Sequence, residues 1–260
     1  DLAISYTQPG MFEKLLGRSS HKVMTVDGIE ITVEKGETLG LVGESGSGKS
    51  TILKAVAGLL PPASGQISVA GSVPLARDVE HRSADHLRKV QLIFQNPDDS
   101  LNPRHTIAEI LEQPLKLYFG LSGDALHQRS ADILERVRLG AHYLDRLPSQ
   151  LSGGEKQRVA IARAFAAEPE LVLCDEVTSA LDTVVAAAIL ALLKNLQTKL
   201  NIAIVFISHD ISTVKSLCDE VVVLYKGKKV EHGTGQAFCH TPYHPYTELL
   251  INSVPAMDPK

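Results

Sequence analysis

The sequence predicts an α/β fold in which helices cover both faces of a parallel sheet, and three observations favour it. Short apolar runs typical of buried strands alternate with segments whose apolar residues repeat at helical spacing. A glycine-rich loop at residues 43–51 joins one such run to one such segment. Two adjacent carboxylates, Asp175 and Glu176, end another run, at the edge where open α/β sheets bind ligands.

The first 95 residues are expected to form an antiparallel β part and the part of the core that carries the glycine-rich loop. Strands are expected at residues 2–6, 23–33 with a break at 27–28, 39–42, 66–70 and 90–94. Residues 10–18 favour a hairpin insertion, and a short turn that touches a membrane is the alternative.

The predicted secondary structure changes from strands to loops and helices at residues 96–154. Asn-Pro pairs at 96–97 and 102–103 break the chain, and Thr106 with Glu109 has the spacing of a capping box. Apolar residues then recur at helical spacing: Leu126, Ile133, Leu134 and Val137. We therefore assign residues 96–154 to an inserted helical subdomain.

The α/β alternation returns from residue 155. Helices are expected at residues 155–167, 184–200 and 211–217, and strands at residues 171–174, 202–207 and 221–225. We assign residues 155–235 to the rest of the core and residues 236–260 to a C-terminal extension.

Composition and charge disfavour nucleic-acid-binding and membrane-spanning proteins. The chain has 260 residues and a formal net charge of −4, which argues against a broad basic surface and so against a dedicated nucleic-acid binder. Three widely spaced cysteines fit reduced thiols in a cytosolic protein. We expect no membrane crossing by this chain alone and no signal peptide. The missing initiator Met suggests a segment of something longer.

The glycine-rich loop matches the pattern G-x-x-x-x-G-K-[ST], which is typical of loops that bind ATP or GTP phosphates. Glycines let backbone N–H groups surround an anion, and the following helix adds the positive end of its dipole. Lys49 is expected to reach the β- and γ-phosphates and Ser50 to bind Mg²⁺. The expected nucleotide-binding residues of the loop are Gly43, Glu44, Ser45, Gly46, Ser47, Gly48, Lys49, Ser50 and Thr51.

The two carboxylates after residue 174 complete this chemistry. Asp175 is expected to hold Mg²⁺ through water, and Glu176 to polarise the water that attacks the γ-phosphate. The alternative is that two acidic residues simply end a strand.

A second motif, Leu-Ser-Gly-Gly-Glu at residues 151–155, begins a predicted helix. Ser152 and Glu155 have capping-box spacing, and Gly153 and Gly154 leave the first turn open to an anion. Together with the glycine-rich loop, this segment resembles the ATP-binding subunits of ABC transporters. The resemblance implies a RecA-like P-loop NTPase core with an antiparallel β subdomain and an inserted α-helical subdomain.

The resemblance also implies roles for individual residues. Ser152, Gly153 and Gly154 are expected to touch the nucleotide of an opposite subunit, as is Asp182 in the loop at residues 179–182. Gln95 matches the glutamine that joins the Mg²⁺ and water site to the helical subdomain, and His209 matches the histidine that senses the γ-phosphate. Tyr6 matches the aromatic residue that stacks on adenine.

Val177 departs from the family, which usually has Pro after the glutamate, and a looser turn could displace Glu176. Because both carboxylates are present, the site is still expected to be active. Two further segments, residues 94–103 and 241–247, resemble the oligopeptide and dipeptide importer branch. Changes at Ser100 or Leu101 are expected to uncouple hydrolysis from transport, because this segment joins the Mg²⁺ site to the helical subdomain.

The resemblance therefore implies an ATPase that uses ATP and Mg²⁺ to drive import of peptides or similar small solutes. It also implies a peripheral location at the cytoplasmic face of a prokaryotic inner membrane. The resemblance implies as partners a second ABC ATPase domain in a head-to-tail dimer, two membrane-spanning permease subunits and, through them, an extracytoplasmic solute-binding protein, with no nucleic acid. A soluble ABC ATPase acting on nucleic acid or ribosomes, and a nonhydrolysing regulatory module, remain alternatives. We favour the second half of a fused ATPase pair over a trimmed single domain.

Overall fold

The structure is a computed structural model that describes residues 2–7, 22–69, 74–239 and 244–252. For residues 2–7, residues 22–25 and Cys239 it describes the backbone alone. The expected insertion at residues 10–18 and the first part of the segment at 241–247, residues 241–243, lie outside the described residues.

Eight strands form two sheets in this part of the chain. They are β1 (Leu2–Thr7), β2 (Lys22–Ile29), β3 (Thr38–Val42), β4 (Val90–Ile93), β5 (Leu171–Asp175), β6 (Ala203–Ile207), β7 (Glu220–Tyr225) and β8 (Lys228–Thr234). Strands β1 and β2 form an antiparallel pair, and the other six form a sheet of order β4-β5-β6-β3-β7-β8. The first five strands of that sheet are parallel, and β8 pairs antiparallel with β7 at the edge.

Eight α-helices accompany the sheets within the described ranges. They are α1 (Lys49–Val56), α2 (Ala84–Lys89), α3 (Ile107–Phe119), α4 (Gly123–Arg136), α5 (Gly153–Ala166), α6 (Thr183–Leu200), α7 (Ile211–Leu217) and α8 (Pro245–Asn252). The capping box expected for α3 is present, because Thr106 and Glu109 each accept the other's backbone N–H. Helices α3 and α4 lie in the stretch assigned to the helical subdomain.

The core lies on both faces of the six-stranded sheet. Alternate residues of β5 separate to the two sides, with Leu171 and Leu173 in the cluster that contains α1, and Val172 and Cys174 in the cluster that contains α5 and α6. Strands β3 and β6 are buried along their whole length. This burial explains their near-continuous apolar sequences, which predicted a parallel sheet.

Two strand predictions are wrong. The strand expected at residues 23–33 ends at Ile29, so the expected break at 27–28 lies inside β2. No strand covers the described residues 66–69, where Ile67 instead accepts a hydrogen bond from the Leu75 N–H. Alternation of polar and apolar residues is a weak signal in a segment without a neighbouring strand to pair with.

Helix α6 is long and apolar enough to meet the length and hydropathy criteria for a membrane span, with 18 residues and a mean hydropathy of 1.3. Core helices meet the same criteria, and α6 contributes several buried side chains to the core: Ile189, Leu192, Leu193 and Leu196. Length and hydropathy are weak evidence for a span in a helix that is part of a folded core.

Candidate nucleotide site

The glycine-rich loop follows β3 and leads into α1. Three of its glycines, Gly43, Gly46 and Gly48, have φ values of 148°, 81° and 104°, a region that favours glycine. A Cβ atom on Gly43 would also lie 2.2 Å from the Leu224 carbonyl oxygen, so the backbone passes too close to β7 for any side chain. Gly48 is the N-cap of α1 and makes no side-chain cap, which leaves the first N–H groups of the helix free for a ligand.

Lys49 lies inside this loop and is 7% exposed. Its ammonium group donates hydrogen bonds to the carbonyl oxygens of Gly43 at 2.7 Å and Glu44 at 2.8 Å. Burial lowers the pKa of Lys49, and the negative charge of Glu176 opposes that shift. A phosphate entering the loop would exchange some of these neutral acceptors for charged ones, which bind an ammonium group more strongly.

Ser50 joins the loop to the acidic end of β5. Its hydroxyl donates a hydrogen bond to Asp175 Oδ1 at 2.9 Å. Burial raises the pKa of Asp175, and the Ser50 hydrogen bond opposes the shift. The expected phosphate cradle and the expected acidic group thus form one site, because β3 and β5 both flank β6 and end at the same edge of the sheet.

Glu176 has a left-handed backbone conformation, with φ of 48°. Its N–H donates to the Ile207 carbonyl at 3.2 Å, and its own carbonyl accepts bonds from the N–H and the hydroxyl of Ser179 at 3.1 and 3.0 Å. Such strain persists only where the surroundings over-determine it, and it concentrates at functional sites. The carboxylate lies 3.6 Å from Nδ1 of His209, whose side chain is 68% exposed.

Val177, the departure from the expected Pro, is 1% exposed and belongs to the large core cluster. Burial of its side chain and the hydrogen bonds of Glu176 hold this turn. Packing and hydrogen bonds therefore fix this turn, whereas a proline would fix it through its restricted φ angle.

Gln95 lies after β4, next to these groups in the sheet. Its amide donates a hydrogen bond to the Ser179 hydroxyl at 3.1 Å. Among the described residues, it makes no hydrogen bond to Ser50 or Asp175. Leu101 is 2% exposed and packs in the core, so a change there would also disturb the packing of this segment. The expected uncoupling by changes at Ser100 or Leu101 remains a prediction.

The Leu-Ser-Gly-Gly-Glu segment forms the predicted capping box at the start of α5. The Ser152 N–H donates to Glu155 at 2.7 Å, and the Glu155 N–H donates to the Ser152 hydroxyl at 3.4 Å. Tyr143 donates a further hydrogen bond to Glu155, which lowers the pKa of that carboxyl. Of the hydrogen bonds of the described residues, none joins this segment to the glycine-rich loop.

The two glycines of the segment have different surroundings. A Cβ on Gly154 would lie 2.6 Å from Val185 Cγ1 of α6, whereas one on Gly153 would meet only Leu181 Cδ2 at 3.8 Å. Gly154 therefore permits close packing of α5 on α6, a reason that the sequence does not reveal. Asp182 caps α6 by accepting bonds from the N–H groups of Val184 and Val185.

Tyr6 lies in β1 and pairs with Val23 of β2. Its side chain lies outside the described part of the structure, so its expected contact with adenine remains a prediction.

Sequence reasoning missed Tyr246, whose hydroxyl contacts the glycine-rich loop. Residues 241–247 stood out only as a subfamily marker, and a lone tyrosine in a polar segment carries no periodic signal.

The residues present fit a magnesium ion. No cluster of three or more His, Cys, Asp or Glu side chains suited to a metal occurs among the described residues. Nucleotide-dependent sites do not need one, since Mg²⁺ keeps waters and is bound by one or two protein oxygens plus phosphates. The hydroxyl of Ser50 and the carboxylate of Asp175 are hard oxygen donors of that kind.

Comparisons with known proteins agree with this geometry. A family model described as "ABC transporter" matches residues 26–179, and one described as "Oligopeptide/dipeptide transporter, C-terminal region" matches residues 230–260. The chain is 40% identical over 250 residues to the dipeptide transport ATP-binding protein DppF of Haemophilus influenzae, covering 96% of this chain and 75% of that protein. It is 42% identical over 239 residues to the oligopeptide transport ATP-binding protein OppF of Salmonella typhimurium, covering 90% and 70%.

Two solved structures share the fold. The ATP-binding cassette MJ0796, solved as a dimer in a post-hydrolysis state bound to ADP and Pi, has a TM-score of 0.74 and 27% identity, covering 90% of this chain and 96% of that one. The structure of cbiO1 from Clostridium perfringens, part of the ABC transporter complex cbiONQ, has a TM-score of 0.76 and 27% identity, covering 92% and 90%. The predicted fold class is confirmed.

Proposed function

The chain belongs to the ABC transporter family as one of its ATP-binding proteins, and from this premise we propose that it hydrolyses Mg-ATP to power import of peptides or similar small solutes. The observation that carries the proposal is the Ser50 to Asp175 hydrogen bond, which unites the phosphate loop with the acidic end of β5. The names of the relatives favour peptide import over the alternative of an ATPase acting on nucleic acid or ribosomes.

Each group of the site has a task in phosphoryl transfer, where positioning and charge stabilisation matter more than covalent chemistry. The glycine-rich loop and Lys49 bind and orient the phosphates. Ser50 and Asp175, the latter through water, would hold Mg²⁺, which when bound neutralises phosphate charge. Glu176 accepts a proton from the attacking water, and His209, whose Nδ1 lies 3.6 Å from the Glu176 carboxylate, contacts the γ-phosphate.

The partners follow from the same proposal. The capped start of α5, with Ser152, Gly153 and Gly154, would contact the nucleotide bound by a second ATPase domain facing this one head to tail. The resemblance to proteins of multi-subunit transporters supports association with two membrane-spanning subunits and, through them, a solute-binding protein. The chain would then lie on the cytoplasmic face of the membrane, peripheral to it.

Glu176→Gln in the assembled transporter tests the proposal. The amide cannot accept the proton of the attacking water, so hydrolysis should fall by roughly 10²- to 10⁴-fold while ATP binding stays within a few-fold of wild type. ATPase turnover and binding of radiolabelled ATP measure the two effects separately. Glu135→Gln, an exposed position on α4, serves as the control. Wild-type turnover in Glu176→Gln would refute this role, and absence of peptide-dependent ATPase activity in the wild type would refute peptides as the transported solutes.

A further inference from the structure

Tyr246, the second residue of α8, contacts the phosphate loop from the C-terminal side. Its hydroxyl oxygen accepts a hydrogen bond of 2.9 Å from the N–H of Glu44, the second residue of the loop. The tyrosine is 8% exposed, and its ring packs against Tyr225 at the end of β7 with ring centroids 4.3 Å apart. Burial raises the pKa of the Tyr246 phenol, so the hydroxyl stays neutral at physiological pH.

The start of α8 is itself fixed to the edge of the sheet. The N–H of Tyr246 donates to Nδ1 of His244 at 3.1 Å, and the N–H of His244 donates to Glu231 of β8 at 3.2 Å. The next residue, Thr247, is 1% exposed. These contacts fix the backbone of Tyr246 to β8, so its hydroxyl is a fixed acceptor for the loop.

The β7 to β8 turn holds the same loop at a second point. The N–H of Gly227 donates to the Ser47 carbonyl at 3.1 Å. Glu44 and Ser47 are themselves joined by a hydrogen bond of 3.1 Å from the Ser47 N–H to the Glu44 carbonyl. The loop turn is therefore held at both ends by groups that follow β7 in the chain.

We propose that Tyr246 is a positioning residue for ATP binding, through which the C-terminal region becomes part of the nucleotide site. The Glu44 residue that Tyr246 holds by its N–H also accepts, through its carbonyl, a hydrogen bond from the Lys49 ammonium at 2.8 Å. Fixing Glu44 thus fixes an acceptor of Lys49 and keeps the loop in the shape that binds phosphates. A site whose competent shape is only partly populated binds its ligand more weakly by that fraction.

This inference rests on the proposed function, since it assumes that the loop binds ATP. It also assigns a task to the region matched by the oligopeptide/dipeptide C-terminal family model, residues 230–260, which contains both His244 and Tyr246.

Tyr246→Phe tests the inference in the full-length protein, because it removes the hydroxyl and keeps the ring. Loss of one neutral hydrogen bond should raise the Kd for a slowly hydrolysed ATP analogue about 2- to 12-fold, with kcat at saturating ATP within about twofold of wild type. Tyr225→Phe is the matched control, because it removes a hydroxyl from the same ring stack that makes no hydrogen bond to the loop among the described contacts. Its Kd should equal that of the wild type.

Amide hydrogen exchange supplies a readout that does not depend on ATP. Exchange at residues 44–47 should be faster in Tyr246→Phe than in either wild type or Tyr225→Phe. Unchanged Kd and unchanged exchange in Tyr246→Phe would overturn the inference, as would equal effects of the two variants. A wild-type protein that binds no ATP would refute the proposed function instead, and the exchange comparison alone would then decide whether Tyr246 holds the loop.

Discussion

At the scale of single residues, the candidate site combines a strained backbone with partial burial of a carboxylate. Glu176 has a positive φ that an L-residue rarely adopts, and Asp175 is a partly buried carboxylate beside Lys49. Both features cost folding free energy. A function that needs these groups in fixed positions accounts for them.

Asp175→Asn should therefore stabilise the folded protein at neutral pH. The pKa of Asp175 is raised by burial, so its contribution to stability is fully present below the unfolded value of about 3.9 and is lost as pH rises through the folded pKa. The charges of Lys49 and Lys54 reduce that loss but do not reverse the direction of the shift. Asparagine cannot ionise, so it avoids the loss and can still accept the Ser50 hydrogen bond.

Thermal unfolding between pH 4 and pH 8 measures this effect. The midpoint for Asp175→Asn should exceed that of wild type at pH 7 to 8, and the difference should shrink toward pH 4. Asp145→Asn, at an exposed position, is the control for loss of one negative charge. A difference that grows on acidification would contradict the argument.

At the scale of elements, the contact between α5 and α6 depends on one glycine. Gly154 lets the first turn of α5 approach Val185, near the Asp182 cap of α6. The two segments expected to touch a partner's nucleotide, at residues 152–154 and 179–182, therefore pack close together. Helix α5 also contacts the segment after Gln95, through an ion pair of 2.7 Å between Lys156 and Asp98.

Gly154→Ala should destabilise the protein by about 1–3 kcal/mol, since the added methyl would lie 2.6 Å from Val185 Cγ1, and either the Val185 side chain or one of the two helices must move. Gly153→Ala is the matched control, because its methyl has room and alanine favours the helix. Urea unfolding monitored by circular dichroism measures both variants. Equal free energies of unfolding for the two would show that the glycine is not required for packing.

At the scale of the whole molecule, the phosphate loop and the capped start of α5 lie at different places in the fold, and no hydrogen bond joins them among the described residues. The loop follows the carboxyl end of β3, whereas α5 packs against α3, α4 and α6. If each start of α5 completes a partner's site, as we propose, one chain holds two half-sites that face different nucleotides.

Ser152→Ala should then impair hydrolysis of the ATP held by the partner's phosphate loop and spare the ATP held at Lys49. Because Ser152 also caps α5, its loss costs about 1 kcal/mol of stability by itself. Thr106→Ala removes the same kind of capping box from α3 and controls for that cost. Turnover is measured in a complex whose two sites are separately labelled, and selective damage to the Lys49 site would exclude the composite arrangement.

The sequence by itself determined the class of fold and the family. The glycine pattern with Lys49, the paired carboxylates after β5 and the Leu-Ser-Gly-Gly-Glu segment are local signals, because backbone conformation and charge at those points depend on adjacent residues. The buried strands β3 and β6 could also be predicted locally, because strands buried on both faces have nearly continuous apolar sequences.

Only the tertiary structure decided how distant segments meet. Strand β8 and helix α8 have mixed sequences without a clear period, and they form because β7 and the loop offer them a surface. Gly154 contacts Val185, 31 positions away, and Tyr246 bonds to Glu44, 202 positions away. Leu101 is buried in a core to which many elements contribute. Such contacts depend on packing in three dimensions, which no local pattern encodes.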